Sequence, residues 1–381
     1  MAATRPNEER APVGVGVRIV EPVIPVSNYV DPVALERELE LLFRTGWQFV
    51  SMADELTNDQ DFVCVDLPGT AIVIQNFAGS LRAFRNVCPH RLNLIQTEER
   101  GNRSLMCRYH GWAFDGEGRP KTLPPRQGFA ESRDDERVCL QRFHVEACGR
   151  FVFVSIENAP PPLADYLGDF APVLEQLSGA MGALTDVDTI HHAANWKLLA
   201  ENVLECYHCG YVHPETFVKG LGIGKKPIAD VQLDRGHSSS HFPKSPTARD
   251  ALKARAVAHL AHREFAHESF FHVHIFPNLF ISSTEGTAFY VGHAIPASAH
   301  ETNLRTRFFA PGVKLDERTQ ARQDLMNKQG AMLGKHVINE DREILETVQR
   351  GMASANRSPL LGADEVRIAA FAAAYNAAMA G

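Results

Sequence analysis

Hydrophobic positions near the start of the chain recur at the spacing of an amphipathic helix. Leu35, Leu39 and Leu42 follow one another at intervals of three or four residues, which places them on one helix face. Asp31 stands just before this run and suits the N-cap position, where a side-chain oxygen accepts from a free backbone N–H. Gly46 interrupts the pattern. We therefore predict a helix that begins after Asp31 and ends before Gly46.

The pattern then changes to short apolar runs. Stretches such as 62–65, 71–74 and 151–156 are rich in Val, Ile and Phe and are separated by Pro, Gly, Asn and Asp. Such runs are typical of β-strands in a small antiparallel domain. The sequence Ala-Pro-Pro-Pro at 159–162 predicts a linker that closes this domain.

Helical and strand-like patterns alternate in the second half of the chain. A helix is predicted from Asn195 to about Gly210, and another from Asp316 onward. The polar, His-rich stretch 234–267 predicts a long loop or lid. Strand-like runs complete this half, at 272–282, 288–295 and 304–309.

Composition excludes several classes of protein. The chain has 381 residues, 39 basic and 46 acidic side chains, and a formal net charge of −7, so no basic stripe favours nucleic acid. No apolar run has the length of a membrane span, and residues 1–17 lack the apolar segment of a secretory signal. We expect a cytoplasmic protein without membrane or nucleic-acid partners. The 17 histidines direct attention to metal sites.

Two Cys-His pairs form the first candidate metal site. Cys88 and His90 are separated by one residue, and Cys107 and His110 by two, with sixteen residues between the pairs. Two thiolates and two imidazoles can hold a tetrahedral zinc ion. They can also hold a [2Fe–2S] cluster with cysteines on one iron and histidines on the other.

A second candidate site begins on the predicted helix. Glu205 and His208 are three residues apart and would share a helix face, and a break near Gly210 would let His213 approach them. Two histidines and one carboxylate form the facial triad of Fe(II) enzymes that activate O2. The carboxylate would come from the late acidic segment, as Glu340 or Asp341. A zinc site of Cys206, Cys209 and His213 is the alternative.

The order of the two motifs resembles that of Rieske non-haem iron oxygenase α-subunits over nearly the whole chain. The first motif lies in the sequences Arg-Asn-Val-Cys-Pro-His-Arg, 85–91, and Cys-Arg-Tyr-His-Gly-Trp, 107–112. The resemblance implies a Rieske cluster held by Cys88, His90, Cys107 and His110. Family members often have glycine where this chain has Leu92, so we expect a changed loop and an intact cluster.

The resemblance also implies the fold and the iron ligands. The expected fold is α+β, with a small antiparallel β Rieske domain inserted in a larger catalytic domain that has a helix-covered antiparallel sheet. The predicted boundaries are 1–45 for the tail and first helix, 46–158 for the Rieske domain, and 159–381 for the catalytic domain. His208, His213 and Asp341 are the expected ligands of the mononuclear Fe(II).

The same resemblance implies the assembly, and the two external electrons that one hydroxylation by O2 requires imply the electron supply. The resemblance implies a homotrimer in which the cluster of one subunit faces the mononuclear iron of the next, with His110 and His208 as the facing ligands. Glu205 stands where most members have a bridging aspartate. A flavin or iron–sulfur reductase, with or without a ferredoxin, would supply electrons from NAD(P)H. Asn202 could position a water molecule or ligand.

The sequence Glu-Cys-Tyr-His-Cys at 205–209 resembles the subgroup that contains carnitine monooxygenase and glycine betaine monooxygenase. This implies oxygen insertion from O2 next to a quaternary ammonium nitrogen, which an aromatic cage could bind. The aromatic residues considered for it are Phe217, Phe271, Phe276, Phe289 and Tyr290.

Two alternatives remain open from the sequence. One is an aromatic-ring or aromatic-acid hydroxylating oxygenase, in which Arg235 or Lys244 would bind a substrate carboxylate. The other, from a different class, is a Rieske protein that transfers electrons without catalysis. Such a protein would need the first metal site alone, and the second motif argues against it.

Overall fold

Two seven-stranded antiparallel sheets form the framework of the molecule, seen in a computed structural model that describes residues 20–67, 69–122, 135–247, 250, 254, 257–260 and 263–380. In spatial order the first sheet contains β1 (Gln48–Met52), β9 (Phe151–Ser155), β8 (Arg142–Cys148), β4 (Ser80–Arg85), β3 (Thr70–Phe77), β2 (Asp61–Leu67) and β5 (Arg100–Asn102). The second contains β10 (Met181–His192), β16 (Glu301–Pro311), β15 (Ala288–Ser298), β14 (Leu279–Thr284), β13 (Ser269–Ile275), β12 (His237–Pro243) and β11 (Ala229–Asp234). A separate pair consists of β6 (Ala113–Phe114) and β7 (Pro120–Thr122).

Helices precede, connect and cover these sheets. The α-helices are α1 (Pro32–Glu38), α2 (Leu163–Leu167), α3 (Ala171–Ala180), α4 (Trp196–Val203), α5 (Cys209–Val212), α6 (Glu317–Met352) and α7 (Val366–Ala380). Shorter 3-10 turns and π-helical turns occupy Val26–Tyr29, Leu39–Phe43, Ala53–Glu55, Gly168–Phe170, Pro214–Leu221 and Ala258–Leu260.

The segment before the first sheet packs with the second half of the chain. Tyr29 and Phe43 lie in one buried cluster with Trp196 of α4 and with Phe371 and Tyr375 of α7. The rings of Phe43 and Trp196 meet edge to face, with centroids 5.2 Å apart. The first sheet is thus an insertion in a larger unit that both ends of the chain help to build, and the predicted α+β fold is confirmed. The predicted domain boundaries stay predictions.

One buried carboxylate joins the two sheets. Glu55, which follows β1, accepts from Arg307 at 2.7 Å and from Arg305 at 3.2 Å, both on β16. The Glu55 side chain is 1% exposed and that of Arg307 is 0% exposed. Burial raises the pKa of Glu55, but the two guanidinium groups outweigh it and leave the pKa below the usual value. The carboxylate therefore stays ionised between the sheets.

Three helices begin where the sequence predicted, each after a capping side chain. Three other predictions were wrong: the extent of the helix 195–210, the lid 234–267 and the single strand 272–282. The side chains of Asp31, Asn195 and Asp316 each accept from a backbone N–H at a helix start. The helix predicted for 195–210 ends at Val203, because Glu205 accepts from backbone N–H groups that a continuous helix would use.

The predicted lid and the first late strand also differ from the structure. The predicted lid, 234–267, contains the buried strand β12, and part of the rest lies outside the described residues. The single run 272–282 is a hairpin of β13 and β14 that turns at Pro277 and Asn278. Among the described helices, none combines the length and the apolar character that a membrane span requires.

Candidate metal centres and the adjoining cavity

Two loops of the first sheet have the same turn and present the four predicted cluster ligands. The carbonyl of Cys88 accepts from the N–H of Leu92 at 3.0 Å, and the carbonyl of Cys107 accepts from that of Gly111 at 3.0 Å. Both fourth residues are left-handed, with φ of 59° at Leu92 and 75° at Gly111. The predicted change of the loop around Leu92 relative to other family members stays a prediction. Within this chain its turn matches that of the second loop, with a leucine in a conformation that favours glycine.

The loops bring the predicted ligands to the protein surface in two layers. Cys88 and Cys107 are 2% and 1% exposed, whereas His90 and His110 are half-buried with ring centroids 4.4 Å apart. The indole of Trp112 stacks on the His90 ring at 5.2 Å. The thiols thus lie inside and the imidazoles at the rim.

The surroundings of the sulfur atoms suit thiolate ligands of a cluster. Backbone N–H groups of His90 and Arg91 point to the sulfur of Cys88, and Asn93 Nδ2 lies 3.6 Å from Cys107 Sγ. Such hydrogen bonds tune iron–sulfur clusters. Among the described residues the loop ligands do not group around one point as single-ion ligands do. A lone zinc ion would require that grouping, whereas a two-iron cluster separates the cysteine and histidine pairs.

The second centre begins at the break after α4. The carboxylate of Glu205 accepts from the N–H groups of Tyr207 and His208 and also contacts Nδ1 of His208. It is 8% exposed. This turn, which is not a shared helix face, brings the predicted pair Glu205 and His208 together.

Three predicted ligands converge on one point. His208, His213 and Asp341 each offer a donor atom within 4.8 Å of the other two. Nε2 of His213 lies 2.9 Å and Nε2 of His208 3.6 Å from Oδ1 of Asp341. His213 follows α5, whereas Asp341 lies in the middle of α6. Two imidazole nitrogens and one carboxylate oxygen form the donor set of a facial triad.

Glu340 lies on the other side of His213. Its Oε2 is 2.8 Å from Nδ1 of His213 and accepts from the hydroxyl of Thr216 at 2.8 Å. Burial lowers the pKa of His213, but Asp341 and Glu340 outweigh burial and raise it above the usual value. Glu340 therefore holds the outer nitrogen of a ring whose inner nitrogen faces Asp341.

The cysteines beside these residues are bound to each other. Cys206 and Cys209 form a disulfide, and they are 7% and 1% exposed. The alternative zinc site of Cys206, Cys209 and His213 is therefore not supported, because both sulfur atoms are engaged and His213 contacts carboxylates.

A cavity of about 320 Å³ adjoins the second centre. Asn202 of α4 lines it together with Glu205, His208, His213 and Asp341. Aromatic rings supply much of the remaining wall: Phe217, Phe242, Phe270, Phe280, Phe289, Tyr290, Phe308 and Phe309.

Other predicted contacts lie elsewhere. Phe271 packs in the core between the two sheets, and Phe276 packs on Phe371 of α7, so neither lines the cavity. Arg235 and Lys244, predicted for a substrate carboxylate, are also absent from the cavity wall. Lys244 is paired with Glu285.

Sequence reasoning missed three polar groups of the site. Thr216 supports Glu340 from the turn after His213, and nothing in its sequence context indicates this role. His192 of β10 and His272 of β13 line the cavity. The alternation His272-Val273-His274 was a usable signal, because alternate residues of a strand share one face.

The fold, the two loops and the triad define the class of protein. A family model described as the ring hydroxylating alpha subunit (catalytic domain) matches residues 183–381, and one described as the Rieske [2Fe–2S] domain matches residues 46–140. The first covers more than half of the chain, and the chain belongs to the ring-hydroxylating alpha-subunit family. The predicted family membership is confirmed.

Individual relatives agree with the predicted subgroup. The oxygenase subunit of carnitine monooxygenase from Escherichia coli K12 is 35% identical over 195 residues, 50% of this chain and 52% of that protein. The oxygenase subunit of glycine betaine monooxygenase from Pseudomonas aeruginosa is 30% identical over 194 residues, 50% of this chain and 45% of that protein. The chain thus spans about half the length of the curated relatives it matches.

A solved structure shares the fold of the chain. It is a crystal structure of the quaternary ammonium Rieske monooxygenase CntA with an inhibitor, and it superposes with a TM-score of 0.75 at 24% identity. The match covers 93% of this chain and 94% of that one. At this identity the likeness concerns the fold alone.

Proposed function

We propose that the chain is the oxygenase component of a Rieske-type enzyme that inserts oxygen from O2 into a small organic substrate. One observation carries the proposal: the donor atoms of His208, His213 and Asp341 meet at the wall of a largely aromatic cavity. The same chain presents the four ligands expected of a Rieske cluster. An electron-transfer protein would have no use for the triad or the cavity.

The carboxylates beside the triad set the protonation of its rings. Glu205 and Glu340 each contact the Nδ1 atom of one histidine. A carboxylate in this position accepts a hydrogen bond from Nδ1–H, which leaves the Nε2 lone pair free for a metal. We therefore assign His208, His213 and Asp341 as ligands of the mononuclear iron, Glu340 as the support of His213, and Glu205 as the support of His208.

The metal groups would supply the redox chemistry: when bound, the cluster would pass single electrons and the mononuclear iron would activate O2 beside the substrate. The protein itself would orient the ligands, exclude water with aromatic rings and hold protons at fixed nitrogens. Asn202, whose side chain has no hydrogen bond to a described residue, would position a water molecule or the substrate in the cavity.

The exposed surface around both centres supports a trimer. Apolar side chains surround the Rieske loops, with Leu92 75% and Tyr109 53% exposed. Tyr207 and Tyr211, beside the second centre, are 72% and 80% exposed. Exposed apolar groups of this kind mark interaction surfaces. In the proposed homotrimer the Rieske loops of one copy would cover Glu205 of the next, and His110 would face this carboxylate.

We further propose a quaternary ammonium compound as the substrate and N-demethylation or C–N cleavage as the reaction. Aromatic faces attract methylated cations, and no Lys or Arg lines the cavity among the described residues. The named relatives act on such compounds, and a reductase fed by NAD(P)H, with or without a ferredoxin, would complete a cytoplasmic system. Hydroxylation of aromatic rings or aromatic acids is the alternative that the test must separate.

Iron content tests the two metal sites. The purified protein should contain about three irons per chain, two in the cluster and one in the triad. Asp341→Ala should lower this to about two without changing the visible spectrum of the cluster. Glu340→Gln, the matched control on the adjacent residue, should keep the third iron. Loss of iron in Glu340→Gln with retention in Asp341→Ala would reverse the assignment.

A single-turnover experiment tests the activity and the substrate class. Chemically reduced protein would be exposed to O2 in the presence of each candidate substrate: carnitine, glycine betaine, choline and a set of aromatic acids. Mass spectrometry would identify the products. This avoids the unidentified reductase. A hydroxylated or demethylated ammonium product supports the proposal. Products from aromatic compounds alone would reject the substrate class and keep the oxygenase assignment.

A further inference from the structure

A buried arginine without an acidic partner lies behind the cavity. Arg367 of α7 is 0% exposed and reaches across β12 to β13. It donates to the hydroxyls of Ser240 at 2.7 Å and Ser238 at 3.1 Å, and to the carbonyl of Ser238 at 3.3 Å. Its remaining contact is with Nδ1 of His272 at 3.1 Å. Among the described residues all its partners are neutral, which is costly for a buried charge.

The contact with Arg367 fixes the proton of His272. A guanidinium group can only donate, so Nδ1 of His272 must accept, and the ring proton must lie on Nε2. Burial and the charge of Arg367 hold the pKa of His272 well below its usual value, which keeps the ring neutral. His272 thus has a fixed N–H donor at Nε2, for which the described residues provide no hydrogen-bond partner.

The strand register directs this donor to the cavity. His272, Ser282 and Tyr290 are direct neighbours across β13, β14 and β15, and all three line the cavity. They form a polar row across a wall that is otherwise largely aromatic. Ser240, which binds Arg367, stands next to His272 in the same row on β12. The row therefore connects the buried positive charge to the cavity.

We propose that His272 is a specificity-determining residue whose Nε2–H binds a carboxylate of the substrate, with Arg367 as the positioning residue that also balances the carboxylate's charge. The inference rests on the proposed function, which it deepens. The substrate would be zwitterionic, with its carboxylate at His272 and its methylated ammonium group among the aromatic rings toward the triad. The bound carboxylate would be the counter-charge that Arg367 lacks within the protein.

Calorimetric binding to the anaerobic holoenzyme tests this inference. Two ligand pairs differ in the carboxylate alone: glycine betaine against glycine betaine amide, and benzoate against benzamide. We expect at least one carboxylate to bind about tenfold or more tightly than its amide, as for a hydrogen bond with a charged partner. Equal binding within both pairs, or no binding of either carboxylate, would overturn the inference.

Variants locate the effect at His272. His272→Leu should abolish the preference for the carboxylate, and His272→Gln, which keeps a donor, should retain part of it. Thr284→Val, at a cavity residue two rows of the sheet register away from His272, should keep the preference in full. Arg367→Met should weaken carboxylate binding and spare the amide, whereas a merely structural role would weaken both. Should that variant not fold, the His272 variants decide.

The outcomes separate this inference from the proposed function. A preference for benzoate alone that depends on His272 would keep the carboxylate site and reject the quaternary ammonium substrate. A preference for glycine betaine that survives His272→Leu would reject the role of His272 and keep the substrate class.

Discussion

Leu92 holds a backbone conformation that leucine disfavours. Its φ of 59° costs about 1–2 kcal/mol relative to glycine, and its side chain is 75% exposed, so little packing offsets the cost. Leu92→Gly should therefore raise the free energy of unfolding by about 1 kcal/mol with an unchanged cluster spectrum, measured by thermal and denaturant unfolding. Leu94→Gly, whose φ is not positive, should destabilise. No gain in Leu92→Gly would mean that Leu92 makes a stabilising contact, as in the proposed trimer.

The buried carboxylate of Glu201 in α4 should make the stability of the folded protein depend on pH. This carboxylate contacts the Tyr29 hydroxyl, and burial raises the pKa of Glu201 to about 7. The folded state then binds more protons than the unfolded state between about pH 4.5 and pH 7, so this group's contribution to stability falls as the pH rises through that range.

Glu201→Gln should remove the loss of stability that ionisation of Glu201 causes as the pH rises. Denaturant unfolding at pH 8 should show the variant more stable than the wild type by about 1–3 kcal/mol, with a smaller difference at pH 5. An equal difference at both pH values would show that ionisation of Glu201 is not its cause.

Two glycines of α6, Gly330 and Gly334, allow a matched comparison of alanine substitutions in one helix. A Cβ at Gly330 would meet no atom within 4 Å, whereas one at Gly334 would lie 2.5 Å from the ring of Phe308. Gly330→Ala should stabilise by about 1 kcal/mol, because alanine restricts the unfolded chain and favours the helix. Gly334→Ala should destabilise instead. Thermal unfolding of both variants checks the pair, and a gain in both would mean that Phe308 moves freely.

Elements with regular patterns and caps were predictable from the sequence, and elements held by side chains from afar were not. The sequence His-Ser-Ser-Ser-His at 237–241 looks like a polar loop, yet β12 is buried there because Arg367, more than 120 residues later, binds its hydroxyl groups. The break after α4 depends on one carboxylate that turns back to the backbone. Neither cause leaves a local pattern.

The candidate site shows the same division. The residues that the structure brings together as candidate ligands were predictable, because metal chemistry restricts residue types and spacing. Residue types and spacing left the choice between Glu340 and Asp341 open, and the family resemblance alone favoured Asp341. Both residues lie on one turn of α6 and differ in which side of His213 they reach. To predict which way a side chain points from a helix, one must know which elements pack around that helix.

The contact of Glu55 with Arg305 and Arg307 should couple the two sheets in unfolding. Glu55→Gln would leave the buried guanidinium group of Arg307 without a carboxylate among the described residues, whereas Arg305 would keep its contact with Glu99 at 2.7 Å. Removal of one partner of a buried pair costs about 3–5 kcal/mol. Calorimetry should show a lower unfolding temperature. Glu40→Gln, which removes an exposed pair with Arg44, should change it little. Equal effects of the two variants would mean that Glu55 is not the link.

Mixed assemblies test the proposed trimer. Cys107→Ser would disable the cluster site and Asp341→Ala the mononuclear site, and each variant alone should be inactive. Co-expressed chains should recover about a quarter of the wild-type activity, because that share of head-to-tail interfaces would join an intact cluster to an intact triad. Chains that carry both substitutions, mixed with inactive single variants, are the control. No recovery would indicate transfer within one subunit.

Helix α6 carries both Asp341 and much of the cavity wall, including Gln323, Asn327 and Val337. At 1.5 Å per residue, Gln323 and Asp341 lie about 27 Å apart on one rigid rod. A substitution that tilts this helix to admit a new compound would also move the proposed metal ligand Asp341. Relatives that diverge in substrate should therefore accumulate changes on β13 to β15 sooner than on α6, and directed evolution of the proposed activity should begin with the strands.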